Sequence, residues 1–181
     1  LVEVDFKSCE PFFFLKSQNI EIPGDDVYFW LMKKYNINNI ERDKLKRGIL
    51  SLIYGANTYT TSKIMQLELK TVEKIKDDIG INDLEDRLKK EFDENGFILN
   101  YYGRPITSNN NLVNYWIQSS TVDYCSLAFR QFYEANNIKP CFFIHDSMTF
   151  CVEESRLQSI INKNKIKEKI SNITIPINFT L

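Results

Sequence analysis

The sequence predicts an α+β fold in which an antiparallel sheet is interrupted by an inserted block of helices. Three observations carry this. Short apolar runs suited to strands stand at both ends of the chain, LVEVDF at the start and ITIPINFTL at the finish. Between residues 26 and 95 apolar side chains recur instead at three- and four-residue steps, the period of helices resting on a core. After residue 96 the pattern changes again, to a glycine-turned hairpin, a long helix and the paired strands of PCFFIHDSMTFCVEE.

Residues 1–7 read as a buried strand running into Asp5, and CEPFFFLKS as a turn into a short helix packed by Phe12, Phe13, Phe14 and Leu15. IPGDD makes a loop whose Asp25 or Asp26 starts a helix over 26–35, since a carboxylate suits the positive end of the dipole. NINNIE is a polar break. A strong helical pattern follows over 41–54, closed by Gly55. Residues 60–80 and 83–95 are expected as two amphipathic helices separated by Gly80 to Asn82. GFILNYYGRPI is a hairpin turned at Gly103, SNNNLVN a loop, and 114–136 a long helix with Leu127, Ala128 and Phe132 inward. CFFIHDSMTFCVEE gives two strands meeting at His145 to Ser147, and a last helix over 154–170 precedes the final strand.

A chain of 181 residues suits one domain, or one domain with a protruding subdomain, and buries roughly 70 % of its surface on folding. With 43 % hydrophobic and 26 % charged residues it fits neither a disordered nor a membrane class. No apolar run approaches the roughly 20 residues of a membrane span, and no signal segment opens the sequence, so a soluble, cytoplasmic protein is expected. The four cysteines show no CxxC spacing and one histidine does not complete a zinc set of the usual type, so reduced thiols are the expectation. A net charge of -1 argues weakly against a nucleic-acid partner, although the distribution of charge can outweigh its sum. The chain opens at Leu1 on a strand-like run, and a piece of a longer protein is expected.

Two groups of residues suggest chemistry. Asp146 lies between two runs of large apolar residues, where it can serve as a turn aspartate bonding its own backbone. Asp5 likewise ends an apolar strand. If the two strands are neighbours, two carboxylates meet at one sheet edge, where they repel unless cations hold them, and magnesium favours such oxygen ligands. In RDKLKRGILSLIYGA, Arg42, Lys46, Leu50 and Tyr54 are four apart, so they form one slowly turning stripe that runs from cationic to aromatic. Arg42 and Lys46 repel at a cost of roughly 0.2–0.5 kcal/mol, and Asp43 with Arg47 recovers a similar amount. This face reads as a solvated basic surface over a buried seam, or as a holder of triphosphate and sugar. Glu10, Arg104, Asn114 and Gln118 are weaker candidates, Asn114 being equally suited to capping.

Taken in order, these pieces resemble the polymerase domain of the family A DNA polymerases, the group of bacterial DNA polymerase I and many phage replicative enzymes. VDFKSCEP looks like the family's first motif and RDKLKRGILSLIYGA like the second. NYWIQSSTVDYCSLAF is similar to the helix after the Gly-Arg hairpin, and IHDSMTFCVEE to the third motif. The resemblance implies a palm at 1–18, helical fingers at 19–95 and the rest of the palm at 96–181. It implies template-directed DNA synthesis from dNTP on a primer-template by a two-metal mechanism, with two Mg2+ ions, Mn2+ as substitute, held by Asp5, Asp146 and the carbonyl of Phe6. Arg42 and Lys46 would bind the triphosphate, with Lys46 placed to protonate pyrophosphate. Tyr54 and Glu10 would close the sugar pocket, and Leu50 would pack under the nucleotide. Asn114, Gln118 and Arg104 would track primer and template, and His145 would steady the primer end.

An upstream thumb, an exonuclease domain or a processivity factor would be further partners, and no membrane. The chain departs from the family pattern at Leu50, where an aromatic is usual, and at Ser147, where an acid is usual. Tyr28 stands where a triphosphate-binding histidine is common, and Asn110 where an arginine is. A palm-fingers module that binds nucleic acid without catalysis is the alternative. A histidine-aspartate phosphohydrolase fails, because one histidine does not supply its metal set.

Overall fold

The computed structural model describes all 181 residues. In chain order the elements are β1 (Val2–Phe6), α1 (Cys9–Ser17), α2 (Val27–Lys34), α3 (Arg42–Ile53), α4 (Thr58–Met65), α5 (Leu69–Asp78) and α6 (Ile81–Asn95). There follow β2 (Ile98–Leu99), β3 (Pro105–Ile106), α7 (Leu112–Asn136), β4 (Lys139–Ile144), β5 (Ser147–Cys151), α8 (Glu154–Ile161), β6 (Lys165–Lys167) and β7 (Thr174–Thr180). No helix is long and apolar enough to cross a membrane. The chain forms two compact units. Leu1–Phe13 with Thr121–Leu181 makes the first, and Phe14–Ser120 the second. The β2–β3 hairpin therefore groups with the helices, whereas the sequence division puts residues 96–120 with the sheet.

The first unit is built on a five-stranded sheet in the order β4-β5-β1-β7-β6, with every neighbouring pair antiparallel. The α+β class read from the sequence is the observed one. In β1 the burial alternates, Val2, Val4 and Phe6 inward, as a period of two requires. Phe6 packs on Phe129 and Tyr124 of α7, with ring centroids 4.7 and 5.4 Å away, and Phe132 reaches Phe150 and Phe179 at 6.4 and 6.3 Å. Each such ring contributes roughly 1.5–3 kcal/mol by leaving water. The Tyr124 hydroxyl, carried into this core, donates to the carbonyl of Ile166 at 3.2 Å. At the C-terminal end of α7, Arg156 donates to the carbonyls of Asn136 and Asn137, satisfying groups that the helix leaves open.

The four cysteines, unpaired by any sequence spacing, meet two by two. Cys9 and Cys125 are buried with sulfurs 3.4 Å apart, and Cys141 and Cys151 are exposed with sulfurs 3.7 Å apart. Strand β4 forms the sheet edge and leaves Phe142, Phe143 and Ile144 about half exposed.

Two helical expectations need correction. The helix expected over 154–170 ends at Ile161, and the chain returns as β6, burying Ile166 opposite Ile175. The turn beyond it is closed by buried Glu168, whose carboxylate accepts from the backbone of Ile170 and Ser171, the Ser171 hydroxyl and Gln131. The helix expected over 60–80 is two helices. Gln66 caps α4 in the left-handed conformation at φ 57°, and its amide oxygen accepts from Lys44 at 2.9 Å. A polar side chain at that position accepts local and tertiary bonds that offset the strain.

In the second unit, α3 buries Leu45, Ile49, Leu52 and Ile53, and α4 crosses it closely at Gly48, where a Cβ would stand 2.2 Å from Met65. Gly55 ends α3 at φ +84°, and an added Cβ would meet the Asn111 side chain at 2.3 Å. Gly55→Ala is therefore expected to destabilise the fold by roughly 1–3 kcal/mol, measured by chemical denaturation, with the loss shrinking in Asn111→Ala.

Candidate functional site

In the first unit, β1 lies between β5 and β7, with Asp5 opposite Ser147 and Asn178. Beyond Ser147 the ladder continues, and the Phe6 amide donates to the Asp146 carbonyl at 3.1 Å. Asp5 and Asp146 are thus one residue apart across neighbouring strands, and both are partly exposed. Strand alternation and hairpin register place them, because a one-residue slip would carry Val4 and Met148 out of the core. Glu10 sits in the first turn of α1, partly exposed. Burial above all, then the Cys125 sulfur and the charges of Asp146 and Glu10, push the Cys9 thiol up, which puts both carboxylates in one neighbourhood with it.

His145 and Asp146 form the two-residue turn between β4 and β5, with Ile144 opposite Ser147. His145 is exposed and takes φ +53°, a left-handed conformation that costs a non-glycine residue roughly 1–2 kcal/mol. A glycine would serve the turn better. His145→Gly is expected to leave the thermal midpoint unchanged or to raise stability by up to about 1 kcal/mol, read by calorimetry. Ser147 is buried and donates to the Ile144 carbonyl at 3.1 Å, so it tightens the turn.

In the second unit, the stripe on α3 runs from Arg42 through Lys46 and Leu50 to Tyr54, which caps the helix. Its members differ. Arg42 is held from several sides: Nε and Nη2 both reach Asp26 Oδ2 at 2.8 Å, Nη1 lies 3.5 Å from Asp43 Oδ1, and the guanidinium lies 4.9 Å from the Tyr28 ring and 5.7 Å from Phe29. Asp26 Oδ1 meanwhile caps α2 by accepting from Tyr28 and Phe29. One carboxylate thus starts one helix and fixes the arginine of the next. Lys46 is exposed and has no ion pair. Leu50 is partly exposed and Tyr54 is 37 % exposed. Asn111 donates to the Tyr54 carbonyl at 2.8 Å, securing the end of the helix.

Buried Asn100 organises the β2–β3 hairpin. Its Oδ1 accepts from the amides of Tyr102 and Arg104, and its Nδ2 reaches Ser119 on α7 at 2.8 Å. Arg104 extends from this hairpin, exposed, and donates to the Ser119 carbonyl at 3.1 Å. Asn114 and Gln118 lie four apart on α7, the latter exposed. Asn114 Oδ1 is buried and has no hydrogen-bond partner. Such an acceptor costs about 1–3 kcal/mol to leave unmade.

No protein-family model matches the sequence, and no curated protein matches it. Among solved structures the chain is similar to the POL domain of Pol1 from M. smegmatis, in complex with DNA primer-template and dNTP. The TM-score is 0.65 at 14 % identity, over 98 % of this chain and 38 % of that one. The fold is polymerase-like. The chain spans 38 % of the length of that relative, and at this identity the likeness is one of fold, so function has to be argued from the side chains.

On this polymerase-like fold, one site residue takes a place that the sequence did not foretell. Tyr28, expected to touch the triphosphate, is 1 % exposed, and its ring faces Arg42. It supports the arginine and is closed to a nucleotide. Phe6 is buried as well, leaving only its backbone to serve as a donor. Asp26 and Asn111 were missed. The capping use of Asp26 was visible in GDDV, but its pairing with Arg42, sixteen residues on, has no local signature.

No group of three or more His, Cys, Asp or Glu side chains gathers in this chain to hold a metal ion. Asp5 and Asp146 are hard oxygen donors that fit a divalent cation whose remaining positions are filled by phosphate and water.

Proposed function

We propose that the chain is the nucleotidyl-transfer portion of a DNA polymerase, adding dNTP to a primer 3'-hydroxyl under the direction of a template. The observation that carries this reading is the placement of Asp5 and Asp146 on neighbouring strands, on a fold shared with a polymerase domain. A divalent cation, Mg2+ by its preference for carboxylate, phosphate and water, would supply Lewis acidity when bound. Asp5 and Asp146 would hold it, with the Phe6 carbonyl as a further donor.

The residues of each unit then have separate tasks. In the first, His145 offers an exposed imidazole beside Asp146 to the primer end, and Glu10 lies in the same neighbourhood. In the second, Arg42 is fixed before any ligand arrives, so little ordering entropy is lost when it meets a phosphate. Lys46, with its charge uncompensated, is the stronger triphosphate ligand and the group able to pass a proton to the leaving pyrophosphate. Leu50 and Tyr54 give the apolar end of the stripe to base and sugar. Asn114, one turn from exposed Gln118 on α7, would track primer and template together with Gln118 and Arg104.

A second reading, a nucleic-acid-binding or structural module without catalysis, is favoured by the Arg42–Asp26 pair, which already offsets one of the two cationic charges. Primer extension by this chain, and by any longer protein containing it, separates the two. Magnesium-dependent lengthening of a labelled primer supports transfer. A bound primer-template that is never extended supports the module.

A further inference from the structure

We propose that Cys141 and Cys151 form a reversible redox modification site, a dithiol that a low-molecular-weight disulfide converts into an intrachain bond clasping the His145–Asp146 hairpin. The two sulfurs stand 3.7 Å apart and both residues are exposed. Their meeting is a product of the fold. Lys139 is the residue opposite Cys151, and a register shift between Pro140 and Phe142 makes Cys141 the extra residue of a bulge. Bulges re-aim side chains, and this one brings a thiol two residues removed from its pairing position against Cys151. A disulfide needs about 2.05 Å between sulfurs, so closure asks for roughly 1.6 Å of approach, within the range of side-chain rotation at an exposed edge strand.

The other pair is a built-in contrast. Cys9 and Cys125 are closer, at 3.4 Å, but only 2 % and 4 % exposed, so a dissolved oxidant meets neither sulfur. Exposure, and not proximity alone, selects the reactive pair.

The step balances as two exchanges. One thiolate attacks the reagent disulfide, a sulfur–sulfur bond breaks and forms, and one reagent thiolate leaves. The neighbouring thiol then gives its proton to solvent and attacks the protein sulfur of the mixed disulfide, expelling the second reagent thiolate. The protein loses two hydrogens and the reagent becomes two thiols. The hydrogen bond to Cys151, followed by lost hydration, pushes the Cys141 thiol up, so the exchange should quicken as pH rises. The bond would close residues 141–151, which include His145, Asp146 and Ser147. None of this depends on the nucleotidyl-transfer reading, because the readout is thiols and peptide masses.

The test is to treat the folded full chain with glutathione disulfide, count free thiols in denaturant and map the peptides by mass. The expected result is a fall from four thiols to two. A joined Cys141–Cys151 peptide should be two hydrogens lighter than its reduced form and should revert with a dithiol reductant. Cys141→Ser should leave only a stable mixed disulfide on Cys151, while Cys125→Ser should form the same joined peptide as wild type. Mixed disulfides persisting on both residues of the wild type, or a joined peptide containing Cys9 or Cys125, would overturn the proposal.

Discussion

Asp146→Asn and Asp5→Asn are each expected to lower magnesium-dependent primer extension by about 10³-fold while leaving primer-template binding within a few-fold of wild type. Asparagine keeps the size and the turn-forming bonds of aspartate and removes only the charge. Neither carboxylate sits in the apolar core, so the thermal midpoint of each variant should stay within a few degrees. If the two acids serve one cation, the double variant should lose little more than either single one, because removing the first already abolishes its hold. Undiminished extension by either variant would remove the metal-binding role from that residue.

The largest effect on stability is expected at Glu168. Its carboxylate is buried and accepts from the amides of Ile170 and Ser171, the Ser171 hydroxyl and the Gln131 amide, at 2.7, 2.7, 2.7 and 3.0 Å. Glu168→Ala leaves these donors without an acceptor and is expected to cost about 2–4 kcal/mol, or roughly 5–15 °C in thermal midpoint. Burial is the strongest single influence on this carboxyl and pushes it up, but the donated hydrogen bonds together outweigh it and hold it below the usual range. Because the folded value is depressed, the stabilisation is complete above the unfolded value of about 4.3 and drains away as pH falls through and below it. Denaturation of wild type between pH 7 and pH 3 should therefore show a decline that Glu168→Gln lessens. An identical pH slope in the variant would sink the assignment.

Legibility in the sequence followed the range of the interaction. The α3 stripe was readable because Arg42, Lys46, Leu50 and Tyr54 report a helix period, and the cap at Gly55 lies beside it. The strands of Asp5 and Asp146 were readable as apolar runs, but their adjacency was conditional until the register paired Asp5 with Ser147. Three features were not readable. The break at Gln66 turns on a lysine twenty-two residues earlier, the end of α8 turns on Ile166 finding Ile175, and the burial of Tyr28 turns on Arg42. Each is a choice made by tertiary packing over local propensity, which no window of neighbouring residues contains. The paired cysteines belong with these, since a bulge decided one pair and α1 meeting α7 the other.

The position of β1 sets the order in which the protein can be made. This strand is synthesised before both of its neighbours, which lie far downstream, β5 at Ser147–Cys151 and β7 at Thr174–Thr180. Until those residues leave the ribosome, Val2, Val4 and Phe6 have no ladder to join. The inserted helices, whose partners are mostly local, can settle in the meantime. The sheet that carries both aspartates should accordingly be the last part to gain protection in a pulsed hydrogen-exchange experiment.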